Sequence, residues 1–319
     1  MRNKFLTIFF LFAISFTSLM LTSVSSEAAA TGCLKNTDGS AIMVTAGDAT
    51  PFALAGTTTY DQDACSQEPD EYKIKFFKVA LCSAEPYTTG GGTAPDFTSC
   101  TDLSNTEKEV ILEPGVDKDL IDGDLVLPLG SYKYLLVIID NHLKIKHQQK
   151  YVLASDGTSA ATIFGNSSGS GAFCWTVAAG ITTYTGETYD SDYATAQGVT
   201  PVESGEGTTN ARLKCGSSVS GKGFATEIID HFGDDATFVG FMNYGGLDVA
   251  TETGISGIEL AGNMLQADNT IATNEDHSRR IAQIYRYTTP VVITENTNSF
   301  KLKVTTYSSV SIDMSTDAN

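Results

Sequence analysis

Six cysteines are the side chains best suited to chemistry in this chain: Cys33, Cys65, Cys82, Cys100, Cys174 and Cys215. All follow an apolar N-terminal stretch, and an even count in an exported chain reads as a set of disulfides. Sequence does not fix the pairing; sequential pairing is expected, because Cys82 and Cys100 bracket a single loop. No Cys-x-x-Cys pair occurs, so a zinc site built on cysteine is not expected. Asp117, Asp119, Asp122 and Asp124 crowd around Gly123. Closely spaced carboxylates suit a hard cation such as calcium, but the spacing is not that of an EF-hand. The expectation is a solvated loop and no cofactor, calcium being the one metal these aspartates could take.

The four histidines do not converge in the sequence. His147 falls on the apolar face of a predicted strand and reads as a core residue. His142, five positions earlier, faces the other way. His231 follows Asp230, and His277 lies in a polar stretch. Gly165-Asn166-Ser167-Ser168-Gly169 matches Gly-x-Ser-x-Gly, yet that motif works only as a strand-to-helix elbow. Here the flanks are rich in Gly and Ser and the next element is a strand, so the match reads as chance. No pair of carboxylates is nominated for glycoside hydrolysis, whose spacing belongs to the fold. The chain is not expected to be an enzyme.

Lysine placement stands out more. Lys73, Lys75, Lys78, Lys133, Lys144, Lys146, Lys150, Lys301 and Lys303 fall in predicted strands, while the acids gather in loops. Lysines on solvated or edge strands discourage unwanted pairing. The sharper reading is a basic face, centred on Lys144, Lys146 and Lys150, that meets an acidic surface of a second copy or an anionic glycan. Trp175, beside Cys174, could stack on a sugar; a tryptophan next to a disulfide cysteine is expected in the core.

These side chains must be positioned by strands. The stretch GDLVLPLGSYKYLLVIIDNHLKIKHQQKYVL, residues 123–153, opens on a Leu-Pro-x-Gly turn. Residues 132–139 then form an apolar run that predicts a strand buried on both sides. Asp140-Asn141 predicts a hairpin turn, because both residues tolerate left-handed backbone. Beyond it Leu143, Ile145, Tyr151 and Leu153 alternate with Lys144, Lys146, Gln148 and Lys150. In residues 72–82, YKIKFFKVALC, the alternation of Tyr72, Ile74 and Phe76 slips by one residue to Phe77, Val79 and Leu81, which predicts a β-bulge. Phe224, Ile228, Ile229 and Phe232 fit a helix face, residues 236–242 look like a strand, and residues 279–286 suit either. The C-terminal segments 291–294, 300–307 and 310–314 predict a meander.

At the N-terminus Arg2 and Lys4 precede an apolar segment, and Ala28-x-Ala30 offers a cleavage site. Residues 1–30 therefore read as a signal peptide, with no later span long enough for a bilayer. The expected location is outside the cell or on its surface, with the periplasm as the alternative. A net charge of -18 disfavours nucleic acid, whose binding rests on Lys and Arg releasing counterions. The expected organisation is an N-terminal domain over 31–180, a Gly/Ser/Thr-rich linker or insertion over 181–223, and a C-terminal β-rich unit over 224–319.

The order of pieces resembles the prealbumin-like (transthyretin-like) β-sandwich domains of secreted bacterial proteins, including collagen-adhesin B-type repeats. The residues that carry it are the early strand 72–81 and Leu127-Pro128-Leu129-Gly130-Ser131-Tyr132 leading into the long strand. It covers about residues 72–153. The stretch YKIKFFKVALC with Cys100 also resembles secreted proteins of marine bacteria and their phages, which imply no activity. The resemblance implies an antiparallel prealbumin-like β-sandwich over about residues 72–153; with the strand signals elsewhere, the expected fold is all-β, with loop-rich insertions and a second β-rich C-terminal unit. Together these features lead to the expectation of a secreted, disulfide-stabilised structural or adhesive protein of the cell surface, extracellular matrix or filament. An extracellular glycan-binding module is the alternative, followed by a secreted polysaccharide hydrolase.

Overall fold

The computed structural model describes residues 9–13, 33, 35–43, 64–88, 94–120, 127–153, 173–178, 181–183, 213–232, 238–246, 256–297, 301–305 and 310–313. Among these the chain is essentially all-β, with antiparallel sheets and no α-helix. The strands are β1 (Phe9–Ala13), β2 (Ala41–Met43), β3 (Ala64–Gln67), β4 (Glu71–Cys82), β5 (Cys100–Ser104) and β6 (Lys108–Leu112). They continue as β7 (Gly130–Asp140), β8 (His142–Lys146), β9 (Gln148–Leu153), β10 (Phe173–Thr176), β11 (Ile181–Thr183) and β12 (Leu213–Gly216). The last six are β13 (Ala225–Ile228), β14 (Phe241–Met242), β15 (Ile258–Leu265), β16 (Arg280–Ile293), β17 (Lys301–Thr305) and β18 (Val310–Asp313).

β4 organises a ten-stranded sheet. Its register against β7 shifts between Phe76 and Lys78, where the hydrophobic phase slips in the sequence. The bulge lets Tyr72, Ile74 and Phe76, and then Val79 and Leu81, all enter one core. β7 and β8 do not form the expected hairpin. Both run antiparallel to β4, one after the other, with Phe76 opposite Ile139 and Lys73 opposite Lys144. Asp140-Asn141 is therefore an irregularity within one long course of chain. Asn141 is buried; its N–H donates to the Arg279 carbonyl at 3.3 Å and its carbonyl accepts from Ile229 at 2.9 Å. The side-chain amide donates to the Ser278 carbonyl at 3.2 Å. Tertiary partners satisfy the groups that a turn would have left to solvent.

β5 and β6 line the opposite edge of β4 in the same end-to-end manner. β16 pairs along β7 from Arg280–Asp140 to Ile293–Gly130, and β13 pairs with β8. Strands of residues 224–319 thus stand in the same sheet as those of 31–180, and the sheet does not divide at 181–223. That interval itself holds β11, which pairs with β13, and β12. Phe224–Phe232 contributes a strand rather than a helix, and residues 280–293 form the long strand β16. The expected C-terminal meander does not form: β16 joins the large sheet, β17 pairs with β1, and β18 pairs with β3. Of the expected signal peptide only β1 is described, parallel to β17.

Residues 134–139 of β7 are all buried, as a central strand covered on both faces requires. One face adds Leu135, Val137 and Ile139 to a core with Ile281 and Tyr285; the other adds Leu136 and Ile138 to a core with Ala80, Ala261 and Ala282. Tyr87 and Phe97, from the chain between β4 and β5, cover the second face and meet edge-on at 5.7 Å between ring centroids. β9 belongs to a separate four-stranded sheet, ordered β12-β10-β9-β2. The chain changes sheets at His147 without changing phase: Leu143, His147, Gln149 and Tyr151 are buried, and Lys144, Lys146 and Lys150 are not.

Candidate interaction face and the polar corner beside it

Alternation along β8 turns Lys144 and Lys146 away from the core, and the register of β4 with β6 and β8 sets acids beside them. Lys146 Nζ lies 2.6 Å from Glu71 Oε1. Glu109 is shared: Lys73 reaches Oε1 at 3.2 Å and Lys144 reaches Oε2 at 3.4 Å. Lys75 pairs with Glu107 at 2.6 Å, and Lys78 pairs with Asp102 across the β4–β5 ladder. Lys150, on the neighbouring sheet, meets Asp38 at 3.2 Å. The Phe224 ring completes the face, with Lys73 Nζ 4.6 Å and Lys146 Nζ 5.4 Å from its centroid. Cations over an aromatic face add attraction to the ion pairs.

The face expected to be basic around Lys144, Lys146 and Lys150 is thus a mixed-charge lattice in which each of these three lysines is engaged by an acid of the same chain. Burial would raise the Glu109 carboxyl, but hydrogen bonding and charge from Lys73 and Lys144 outweigh it and hold it below the usual value. Asp38 is held down at about 2 by hydrogen bonds from the Ser40 side chain and backbone, with Lys150 assisting. An incoming anion would have to compete with these carboxylates for the lysines.

Next to the lattice is the corner where the two sheets part. His147 is 4% exposed. Its N–H donates to Thr176 Oγ1 at 2.9 Å, and its carbonyl accepts the Thr176 N–H at 2.9 Å. Thr176 also donates through Oγ1 to the Gly223 carbonyl at 2.7 Å, and its own carbonyl accepts the Gly223 N–H at 2.9 Å. Gly223 has to be glycine: a Cβ there would sit 2.8 Å from the Ala178 nitrogen. Lys222, beside it, binds Asp70 at 2.9 Å, and Asp70 faces His147 Nδ1 at 3.9 Å. Burial pushes the imidazole down to about 4, against the upward pull of Asp70.

A second buried polar node lies at Asn141. Asp230 and His231 are buried with Oδ1 and Nδ1 2.8 Å apart, and Ser278 Oγ donates to the Asp230 carbonyl at 2.8 Å. The Ser278 hydroxyl is fully buried and engaged by main chain. His142 lies 4.0 Å from Asp140, and His277 ends a short 3₁₀ turn whose N-cap, Asn274, accepts the His277 N–H.

Cys82 and Cys100 form a disulfide directly across the β4–β5 ladder. Cys33 and Cys174 are also disulfide-bonded. Cys215 is opposite Cys174 in the β10–β12 ladder, while the side chains of Cys65 and Cys215 lie outside the described residues. Asp117 and Asp119 are exposed, and Asp122, Asp124 and the Gly165–Gly169 motif fall outside the described residues. Among the described residues no three His, Cys, Asp or Glu side chains gather as a metal site, and no helix is long and apolar enough to cross a membrane. Trp175 is a core residue, 5% exposed and packed against Gly216. Sequence reasoning missed Glu71, Glu109, Asp70, Lys222 and Phe224; their only signal is cross-strand register, which a single strand does not carry. No family model, no curated protein and no solved structure matches this chain.

Proposed function

We propose that the protein is an exported structural or adhesive component of the cell surface or extracellular matrix. The observation that carries this reading is the Cys82–Cys100 disulfide, accompanied by oxidised Cys33 and Cys174. Disulfides of this kind persist in oxidising compartments outside the cytosol. The extended antiparallel sheet, with its lysines and acids paired along one face, suits a passive scaffold. Its partner is a second copy of the chain or an anionic glycan, met through the mixed-charge face.

The test is fractionation of producing cells with a non-reducing blot, together with surface attachment of a deletion strain. The reading expects an oxidised chain outside the cytoplasm and weakened attachment in the deletion strain. A reduced cytoplasmic chain, or attachment unchanged by deletion, overturns it. Binding on a glycan array without an attachment defect would favour the glycan-binding alternative; turnover of a polysaccharide panel would favour a hydrolase.

A further inference from the structure

We infer that the His147 corner is an acid-operated joint: protonation of the ring releases the four-stranded sheet while the ten-stranded sheet keeps its structure. The ring lies at the single residue between β8 and β9, where the chain passes from one sheet to the other. It is buried, and neither ring nitrogen has a hydrogen-bond partner. The carboxylate that faces it, Asp70, already binds Lys222 at 2.9 Å. Lys35, from the segment before β2, adds positive potential. The neighbouring Glu71 is occupied by Lys146. An imidazolium formed here would be a second cation, after Lys222, on the Asp70 carboxylate, with the charge of Lys35 opposing it as well.

The mechanical route is short. The His147 backbone is held in both directions by Thr176 of β10, and Thr176 in turn holds Gly223. Displacement of the ring toward solvent pulls on these bonds, which join β9 and β10 to the segment entering β13. β4, β7 and β16 are paired to one another over long ladders and do not depend on the corner.

The sign follows from burial. The ring titrates at about 4 in the closed corner and near its ordinary value of 6.5 once released. Proton uptake therefore accompanies opening. Stability of the closed corner is complete above about pH 6.5 and falls as pH drops toward 4. At pH 5 the open population should rise by about twentyfold over pH 7.

The experiment is hydrogen exchange read by mass spectrometry on the full, oxidised chain at pH 7 and pH 5, corrected for intrinsic exchange. Peptides covering β9 and β10 should lose protection by about twentyfold relative to those of β7 and β16. His147→Gln should abolish that difference. Equal loss in His147→Gln, or loss shared by β7 and β16, overturns the joint. Should that variant not fold, an NMR titration of the His147 ring in the wild-type chain decides: a neutral ring down to pH 5 is expected, and an ordinary midpoint near 6.5 overturns the inference.

Discussion

Replacing Cys82 and Cys100 together by alanine tests the one covalent tie whose both ends are described. The bridge joins residues separated by 18 positions. Closing a loop of that length removes unfolded-chain entropy equivalent to about 3 kcal/mol. Cys82 is also fully buried in the second core, so loss of its sulfur adds about 1 kcal/mol for the space left behind. The double variant should therefore lose about 4 kcal/mol in all. The cost is concentrated at the sheet edge, because β5 pairs with β4 alone. Urea unfolding of the oxidised proteins, followed by fluorescence, should show a lower midpoint, and amide exchange in residues 100–104 should accelerate before that in β7. A loss below about 1 kcal/mol would refute the reasoning, since the bridge would then not be restraining the unfolded loop.

Other outcomes follow from the same contacts. Lys146→Gln should lose about 1 kcal/mol, as the Lys146–Glu71 pair is only partly buried. Lys146→Glu should lose more, and 1 M salt should narrow the gap between the two in paired unfolding curves; a gap unaffected by salt would remove charge as its cause. Gly223→Ala should destabilise by about 1–3 kcal/mol, because its Cβ would lie 2.8 Å from the Ala178 backbone nitrogen; an unchanged melting temperature would show that this segment yields freely. Calcium added to chelated protein should leave the melting temperature unchanged, and a rise would establish a cation site at the Asp117/Asp119 loop.

The legible parts of the fold are those encoded within a single strand. The hydrophobic slip after Phe76 marks the β4 bulge, since Val79 and Leu81 rejoin the core of Phe76 only through an extra residue, whereas Phe77, expected on that same face, packs against the other core. The unbroken run in β7 likewise marks a strand with two cores. Register between distant strands is a different matter. Alternation turns Lys144 outward, yet nothing within that strand states that Glu109 will be alongside. This is why a face that looks basic in sequence becomes a lattice of paired charges. Asp140-Asn141 makes the same point more sharply. Its local preferences serve a hairpin turn, and in isolation the reversal would be favourable. In the sheet, Asn141 bonds instead to Ser278, 137 positions away, while its main chain joins Arg279 and Ile229. A solvent-facing turn would have forfeited all three contacts and left the ends of β13 and β16 unsupported. Local propensity gives way where buried polar groups can be satisfied only by partners that tertiary structure supplies.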